Sequence, residues 1–311
     1  MKIAIAVSKR DLPLAVAQSK LILQLGGLHA HSCLLILAPE LAGLDTELSD
    51  NLKAAFPNFE RHLLKGGIRE PSDNDIKDHP QPHVIPANQM FQATWRHLIA
   101  TGNQEEVYWL EPDCVPLHNR WADELARDYL TAQAFKKYFM GVFVPKVDIV
   151  RNGDGTFSPR LVNGETHMVG TGIYPPDIRK HSGLWSQAKA VPFDALMQWE
   201  TSRAGYPTDK ILHNHATKEY KLVEALTPEH PATLTCEVIN EWGISTDKLV
   251  IPITALVVHG CKDTSLIDLV SSGKLFVAPT KNKVEETTPK KTTAPKTKSK
   301  STKKSGFTIE E

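Results

Sequence analysis

The sequence predicts an α/β fold with a mostly parallel, Rossmann-like sheet, helices on both faces of that sheet and a small antiparallel patch. The first observation is a strand-like run, a helix-like run and a second strand-like run within the first 38 residues. This order favours a parallel sheet. The second observation is a change of pattern between residues 142 and 174, where short strand-like runs alternate with hairpin-type turns.

The N-terminal elements follow from their patterns in chain order. Residues 2–7 and 31–38 are apolar runs typical of buried strands, and residues 12–25 have the apolar spacing of a helix that stops at a Gly-Gly pair. Residues 65–88 are rich in Pro, Asp, Gly and His. They predict a long loop of the kind that serves as a lid or a binding loop.

The middle of the chain predicts two helices around a short strand. A helix over residues 88–100 would have Asn88 as its N-cap, and a second helix covers residues 120–134. Between them, residues 107–110 form a short buried strand.

The next segment carries the predicted antiparallel patch. Hairpin turns are expected at residues 152–155 (Asn-Gly-Asp-Gly) and 163–164 (Asn-Gly). A helical pattern then returns over residues 192–204.

The charge of the chain is unevenly distributed. The formal net charge is zero, but residues 281–311 hold nine lysines and four glutamates, which leaves a tail of +5 on a body of −5. Lys, Thr, Ser and Pro dominate this tail, which therefore lacks the apolar surface needed to offset its chain entropy. We expect one folded domain over residues 1–278 and a disordered tail over residues 279–311.

The apolar runs and the cysteine spacing also indicate the compartment in which the protein works. No run approaches the roughly 18 apolar residues of a membrane-spanning helix, and the apolar run at the N-terminus is too short for a signal-peptide core. The four cysteines are far apart and form no CxxC pair, which favours a reducing compartment and no structural zinc. We expect a cytoplasmic protein with no membrane partner, and the sequence leaves its oligomeric state open.

Two acids directly follow the predicted strand at residues 107–110. Glu111 and Asp113 flank Pro112 and would lie at the carboxyl edge of the sheet, where open α/β folds bind their ligands. Two carboxylates there would hold a hard divalent cation, which in turn would hold a diphosphate. An ordinary acidic loop after a strand is the alternative.

A second apolar run, residues 255–258, leads into complementary groups. The imidazole of His259 is a good ligand for Mn²⁺-like ions, and Gly260 allows close approach of the backbone to a ligand. Lys262 would neutralise phosphate oxygens. A lone histidine at a strand end is the ordinary alternative, but the two strand ends together favour a metal and diphosphate site.

These segments resemble a known family. The Glu-Pro-Asp segment at 111–113 resembles the DxD motif of GT-A glycosyltransferases, with Glu in place of the first acid. The His-Gly-Cys-Lys segment at 259–262 resembles the C-terminal metal-binding histidine and diphosphate-binding lysine of several such families. Residues 167–174 resemble the glycine-containing loop that packs against donor and acceptor sugars. The resemblance covers residues 1 to about 275 and extends to bacteriophage-encoded and DNA base glycosyltransferase-like members.

The resemblance implies a role for each matching residue. Asp113 and His259 would bind Mn²⁺ or Mg²⁺. Glu111 would contact the donor ribose or a metal-bound water, although its longer side chain leaves the direct metal contacts open. Lys262 would stabilise the departing diphosphate. The other residues expected beside the nucleotide-sugar donor, for which a UDP-sugar is the first expectation, are Ser8, Arg10, Asn88 and Gly172.

The catalytic base is a separate question. Inverting members of the family place an acid at a helix start beneath the acceptor hydroxyl, which makes Asp194 the first candidate and Glu200 the second. For Asp194, a simple N-cap role is the alternative. Inversion or retention at the anomeric carbon stays open. The pair of histidines in His213-Asn214-His215 is interpreted as polar surface or core residues rather than a second metal site.

The tail raises the question of the acceptor. Nine lysines would support salt-dependent attachment to DNA, so a modified DNA base is the expected acceptor. A glycan or protein acceptor and a merely solubilising tail remain open. Two alternative functions belong to other classes of protein. One is a noncatalytic, nucleic-acid-associated GT-A-like binding protein, and the other is a metal-dependent sugar nucleotidyltransferase. The second class ranks third because Ser8-Lys9-Arg10, after the first strand, lacks the glycine expected there.

Overall fold

The described part of the chain contains twelve β-strands and seven α-helices. The computed structural model describes residues 1–69, 71–72, 84–154, 157–186, 192–224, 233–240 and 245–273. In chain order the elements are β1 Lys2–Val7, α1 Leu12–Leu25, β2 Ser32–Leu37, α2 Thr46–Ala55, β3 Asn58–Leu63, α3 Val84–Ala100, β4 Val107–Trp109, β5 Cys114–Pro116, α4 Trp121–Ala134, β6 Phe139–Arg151, β7 Phe157–Tyr174, α5 Phe193–Leu196, α6 Gln198–Ala204, β8 Gly205–Pro207, β9 Ile211–Glu224, β10 Thr233–Asn240, β11 Ser245–Pro252, β12 Val257–Cys261 and α7 Ser265–Ser271.

The main sheet has seven strands in the order β3-β2-β1-β4-β7-β6-β8. Neighbouring strands from β3 to β4 are parallel, as are β6 and β8, whereas β7 is antiparallel to both of its neighbours. The predicted α/β class with a mostly parallel sheet is confirmed by this order.

Helices cover both faces of the sheet. Ile3 and Ile5 of β1 belong to a core shared with α1, α2 and α4, whereas Ala4 and Ala6 belong to a core shared with α3 and α5. Because alternate side chains of a strand point to opposite faces, a strand buried on both faces must be apolar at every position. This explains the continuous apolar runs of β1 and β2.

A second sheet has five strands in the order β11-β10-β9-β12-β5. In this sheet β12 lies between β9, to which it is parallel, and β5, to which it is antiparallel. Because β5 follows β4 after only four residues, the connection at residues 110–113 joins the two sheets. The antiparallel patch predicted over residues 142–174 corresponds to the β6–β7 pair of the main sheet.

Two local predictions are wrong. Helix α3 begins at Val84, so Asn88 lies in its second turn and is not an N-cap. The helix starts earlier because Val84 and Ile85 are buried, and Pro86 is tolerated in a first turn. The Asn-Gly pair at residues 163–164 lies inside β7, where the register against β6 shifts and Gly164 has φ +76°, so it forms a bulge and no turn.

The predicted tail at residues 279–311 lies outside the described residues. Residues Met1–Val277 form one compact unit, and the exact end of the folded domain stays a prediction. In the described ranges, no helix has the length and apolarity required to cross a bilayer.

Candidate active site

The connection between β4 and β5 is a tight turn held in place from both sides. The Leu110 amide donates to the Ala4 carbonyl at 2.9 Å, and the Cys114 amide donates to the Glu111 carbonyl at 3.0 Å. Gln18 of α1, which is buried, donates its Nε2 to the carbonyls of Glu111 (2.8 Å) and Cys114 (2.6 Å). The turn that carries the two acids is therefore fixed to β1 and to α1.

Strand β12 brings His259 against this turn. Its antiparallel register with β5 places His259 opposite Cys114, and the Cys261 amide donates to the Asp113 carbonyl at 3.0 Å. Gly260 has φ +93° at the point where the register between β12 and β9 shifts. This left-handed backbone favours glycine and forms a bulge beside the histidine.

The imidazole of His259 lies between the two carboxylates. Its Nε2 is 2.9 Å from Glu111 Oε2 and 3.4 Å from Asp113 Oδ1. Its Nδ1 is 2.8 Å from Nδ1 of His213 on β9. The Lys262 ammonium bonds the other oxygen of Asp113, Oδ2, and 40% of the lysine side chain is exposed. Two acids, a histidine and a lysine thus form one cluster that is open to solvent on the lysine side.

Mutual charge compensation governs the protonation of this cluster. Burial alone would lower the pKa of His259, but Asp113 and Glu111 outweigh it and the pKa is raised. Burial alone would raise the pKa of Asp113, but His259 and Lys262 hold that pKa below its usual value. For Lys262, Asp113 likewise outweighs burial and raises the pKa. Each charge in the cluster stabilises its opposite neighbour.

The donor atoms of this cluster fit a hard divalent cation. Ligands at about 2.1 Å around an octahedral ion lie about 3 Å from one another, which agrees with the 2.9 and 3.4 Å separations around His259 Nε2. Asp113, Cys114 and His259 also have ligand atoms within 4.8 Å of one another. Burial raises the pKa of the Cys114 thiol well above its usual value, so the thiol stays protonated and suits such an ion poorly.

The side chain of Glu111 has two further neighbours, Trp109 and Gly170. Its Oε1 accepts a hydrogen bond from Trp109 Nε1 at 3.2 Å. A Cβ added to Gly170 would lie 2.7 Å from the same oxygen, so only glycine fits there without displacement. Gly172 pairs with Trp109 and Gly141 inside the sheet, and its predicted place beside the donor stays a prediction. Gly170, which was not among the predicted site residues, therefore lies directly against Glu111.

Asp194 lies within electrostatic reach of the acidic cluster. It occupies the second position of α5, after Pro192 as the N-cap residue, and its Oδ1 accepts the Ala195 amide at 2.9 Å, so the alternative of a simple N-cap role is wrong. Burial raises the pKa of Asp194 to about 6, with a further contribution from Glu111 that His259 partly offsets. On its other oxygen, Oδ2, the carboxylate faces His167 Nε2 at 4.0 Å.

Asn88 contacts the same segment from α3. The side chain is 1% exposed, and its Oδ1 accepts the Phe193 amide at 2.9 Å. Asn88 therefore anchors the start of the helix that carries Asp194. Its predicted place beside the donor stays a prediction.

The structure does not bring the other predicted residues into the cluster. Ser8 directly follows β1, the neighbour of β4, and donates to Asp11 Oδ2 at 2.6 Å. Arg10 is exposed. Glu200 accepts a hydrogen bond from Ser182 at 3.2 Å. In the described ranges none of the three has a hydrogen bond or an ion pair with Glu111, Asp113 or His259, so their predicted roles remain predictions.

Sequence reasoning missed Gln18 and interpreted His213 as an ordinary polar residue of the surface or core. Gln18 occupies a buried position between Ala15 and Ile22 on the inner face of α1, and a polar residue on an apolar stripe is a usable signal. His213 was considered only within its His-Asn-His segment and was not connected with His259. Its contact with His259 depends on parallel pairing of β9 with β12, which local sequence does not specify.

Comparisons with known proteins give fold-level similarities to solved structures alone. No family model matches the chain, and no curated protein matches it. An active-site mutant of LgtC is 11% identical over 90% of this chain and 98% of that one, with a TM-score of 0.48. The Mn/GDP form of core-mannan synthase A from Aspergillus fumigatus is 7% identical over 66% and 72%, with a TM-score of 0.42. A 4-diphosphocytidyl-2C-methyl-D-erythritol synthase is 13% identical over 64% and 84%, with a TM-score of 0.37. These TM-scores are all below 0.5, so the three similarities by themselves assign no activity to this chain.

Proposed function

We propose that this protein is a divalent-cation-dependent glycosyltransferase that uses a nucleotide-diphosphate sugar. One observation carries the proposal: Glu111 and Asp113, at the carboxyl end of β4, converge on Nε2 of His259. Open α/β sheets bind ligands at this edge. Two carboxylates and an imidazole are suitable ligands for Mn²⁺ or Mg²⁺, and such an ion would in turn bind a diphosphate.

The chain's own residues would then divide the remaining work. A bound cation would neutralise charge on the diphosphate as a Lewis acid. Lys262, whose side chain is partly exposed beside Asp113, would bind the leaving diphosphate oxygens. This arrangement concentrates positive charge where negative charge develops as the bond between the anomeric carbon and the phosphate oxygen breaks.

Asp194 would serve as the general base. A group with a pKa of about 6 is ionised at neutral pH and still basic enough to take a proton from an acceptor hydroxyl. The hydroxyl oxygen would attack the anomeric carbon while the diphosphate leaves with the bonding electrons. A single displacement of this kind inverts the anomeric configuration, which NMR of the product measures directly. Glu200 stays the second candidate.

Thermal unfolding with nucleotides tests the proposal first. UDP, GDP, ADP and CDP are each added with Mn²⁺ and again with EDTA. A ligand at about a hundred times its Kd adds about 2.7 kcal/mol to the free energy of unfolding. We expect one diphosphate, UDP in the first instance, to raise the Tm with Mn²⁺ and not with EDTA.

Matched variants make this test specific. Asp113→Asn should abolish the metal-dependent shift, whereas Asp209→Asn, an acid whose side chain is 71% exposed, should keep it. A shift that is insensitive to EDTA and to Asp113→Asn would contradict the metal site. No shift with any diphosphate would instead favour a noncatalytic binding protein.

The acceptor that we propose is a modified base in DNA. The support is the charge pattern: a tail with nine lysines on a body of −5 offers salt-dependent attachment to phosphates. Deleting residues 279–311 should weaken DNA binding in an electrophoretic shift assay while leaving turnover of a small acceptor intact. Equal DNA binding by both forms would contradict the role of the tail and favour a glycan or protein acceptor.

A sugar nucleotidyltransferase uses a similar edge of an α/β sheet and is the main enzymatic rival. The two reactions differ in the products that they release. A glycosyltransferase releases a nucleoside diphosphate from the nucleotide sugar, whereas a nucleotidyltransferase acting on a nucleoside triphosphate releases pyrophosphate. Product analysis by anion-exchange chromatography with each substrate separates the two.

A further inference from the structure

His213 contacts His259 from the side opposite the two acids. The two Nδ1 atoms are 2.8 Å apart, and the rings are 4.9 Å apart between centroids with a tilt of 32°. Residues on parallel strands hold this pair, because β9 and β12 align His213 with His259 in register. The contact therefore belongs to the sheet architecture and does not depend on a loop.

A hydrogen bond between two Nδ1 atoms has one donor and one acceptor. When His259 uses Nε2 as a metal ligand, that nitrogen has to present its lone pair, and the ring proton of the neutral imidazole lies on Nδ1. His259 then donates from Nδ1, and Nδ1 of His213 accepts. The tautomer of the ligand is thus set by an acceptor outside the direct metal contacts.

We propose that His213 is a positioning residue that holds His259 in its metal-binding tautomer and ring orientation. The inference rests on the function proposed above. Metal-binding histidines commonly donate their other ring N–H to a carboxylate, carbonyl or water, and loss of such a partner lowers metal affinity or activity by about 10- to 100-fold. Here an imidazole takes the place of that partner.

Two substitutions of His213 test its role as a hydrogen-bond acceptor. Asn presents an oxygen close to the position of the His Nδ1 atom, so His213→Asn keeps an acceptor, whereas His213→Leu keeps the bulk and removes the acceptor. His181→Leu is the control, since it removes another partly buried histidine, one that stacks on Tyr138 at 4.1 Å.

Mn²⁺ binding without nucleotide is the readout, measured on the full chain by electron paramagnetic resonance of the free ion. We expect His213→Leu to weaken Mn²⁺ binding by about 10- to 100-fold. His213→Asn should restore affinity to within a few-fold of wild type, and His181→Leu should leave it unchanged. Far-UV circular dichroism and the Tm in EDTA establish that each variant folds.

The outcomes separate this inference from the proposed function. If wild type binds Mn²⁺ and all three variants bind it equally, the function stands and the role of His213 is wrong. Equal weakening by His213→Leu and His213→Asn likewise contradicts the hydrogen-bond role. If wild type fails to bind Mn²⁺, the metal site itself is wrong, and the inference is lost with it.

Discussion

The Lys262 ammonium is bound to the carboxylate of Asp113 whose second oxygen faces His259 Nε2 at 3.4 Å. In the proposed enzyme both Asp113 and Lys262 have other partners, a cation and a diphosphate respectively. The contact between them therefore competes with cation binding. Because 40% of the lysine side chain is exposed, its ammonium can leave Asp113 without crossing the core.

Replacing Lys262 with Met should have opposite effects on the two ligands. Mn²⁺ alone should bind more tightly to Lys262→Met, since a competing cation has been removed from Asp113. UDP in the presence of Mn²⁺ should bind about 10- to 100-fold more weakly, as expected when a charge-assisted hydrogen bond is lost. Isothermal titration calorimetry measures both. Parallel loss of Mn²⁺ and UDP affinity would show that the lysine supports the cation site instead of competing for it.

Gly170 should be sensitive to the smallest possible enlargement. In Gly170→Ala the new Cβ would lie 2.7 Å from Glu111 Oε1 and 3.1 Å from Phe193. The end of a flexible side chain moves at little cost, so Glu111 should shift away from His259 while the fold persists. We expect weaker Mn²⁺ binding with a small change in Tm. Gly153→Ala, where the added Cβ meets nothing within 4 Å, is the control and should change neither.

Asp194→Asn should separate catalysis from donor binding. Loss of a general base costs about 10²- to 10⁴-fold in kcat. The diphosphate-dependent rise in Tm should persist, because Asp194 is proposed to contact the acceptor and not the donor. Steady-state kinetics and thermal unfolding give the two readouts. Full turnover by this variant would move the role of base to Glu200 or elsewhere.

The same variant should change how stability depends on pH. The pKa of Asp194 is about 6 in the folded protein and 3.8 at its ordinary value, so the folded state binds more protons between these limits. Wild-type stability therefore falls as pH rises from 3.8 to 6, and the penalty is complete above pH 6. Its upper bound is about 3 kcal/mol, reduced by solvent because 19% of the side chain is exposed.

Urea unfolding of wild type and Asp194→Asn at pH 7.5, 5 and 4 checks this sign. The variant should be more stable than wild type at pH 7.5, and the difference should shrink towards pH 4. A difference that is constant across the three pH values would mean that the carboxyl pKa is not raised by folding.

Gln18 should contribute measurably to the free energy of unfolding, although it lies far from the two acids in sequence. Gln18→Leu removes the donor to the carbonyls of Glu111 and Cys114 inside the core, at a cost of about 1–3 kcal/mol for buried acceptors left unpaired. Gln24→Leu on the same helix removes only an exposed bond to the Ser271 carbonyl and should cost far less. Chemical denaturation compares the two. Equal losses would mean that the turn is held by its sheet contacts alone.

Local patterns predicted several features well. The bounds of α1 agree with its apolar periodicity, and β1, β2 and β4 lie within one residue of their predicted ends. The acids after β4 were recognisable because a strand that ends at polar residues marks the edge of a sheet. Asn88 and the Asn-Gly pair at residues 163–164 were mispredicted, because burial of Val84 and pairing of β6 with β7 override local turn and cap preferences.

The sequence by itself determined the α/β class and the presence of two acids, a histidine and a lysine at or near strand ends, because apolar periodicity and side-chain chemistry are local properties. Only the tertiary structure decided that Glu111, 148 positions away from His259, lies 2.9 Å from its ring, and that His213 lies on the other side of that ring. The physical reason is that register between distant strands is set by how the whole core packs. No short stretch of the chain specifies which distant strands will pair.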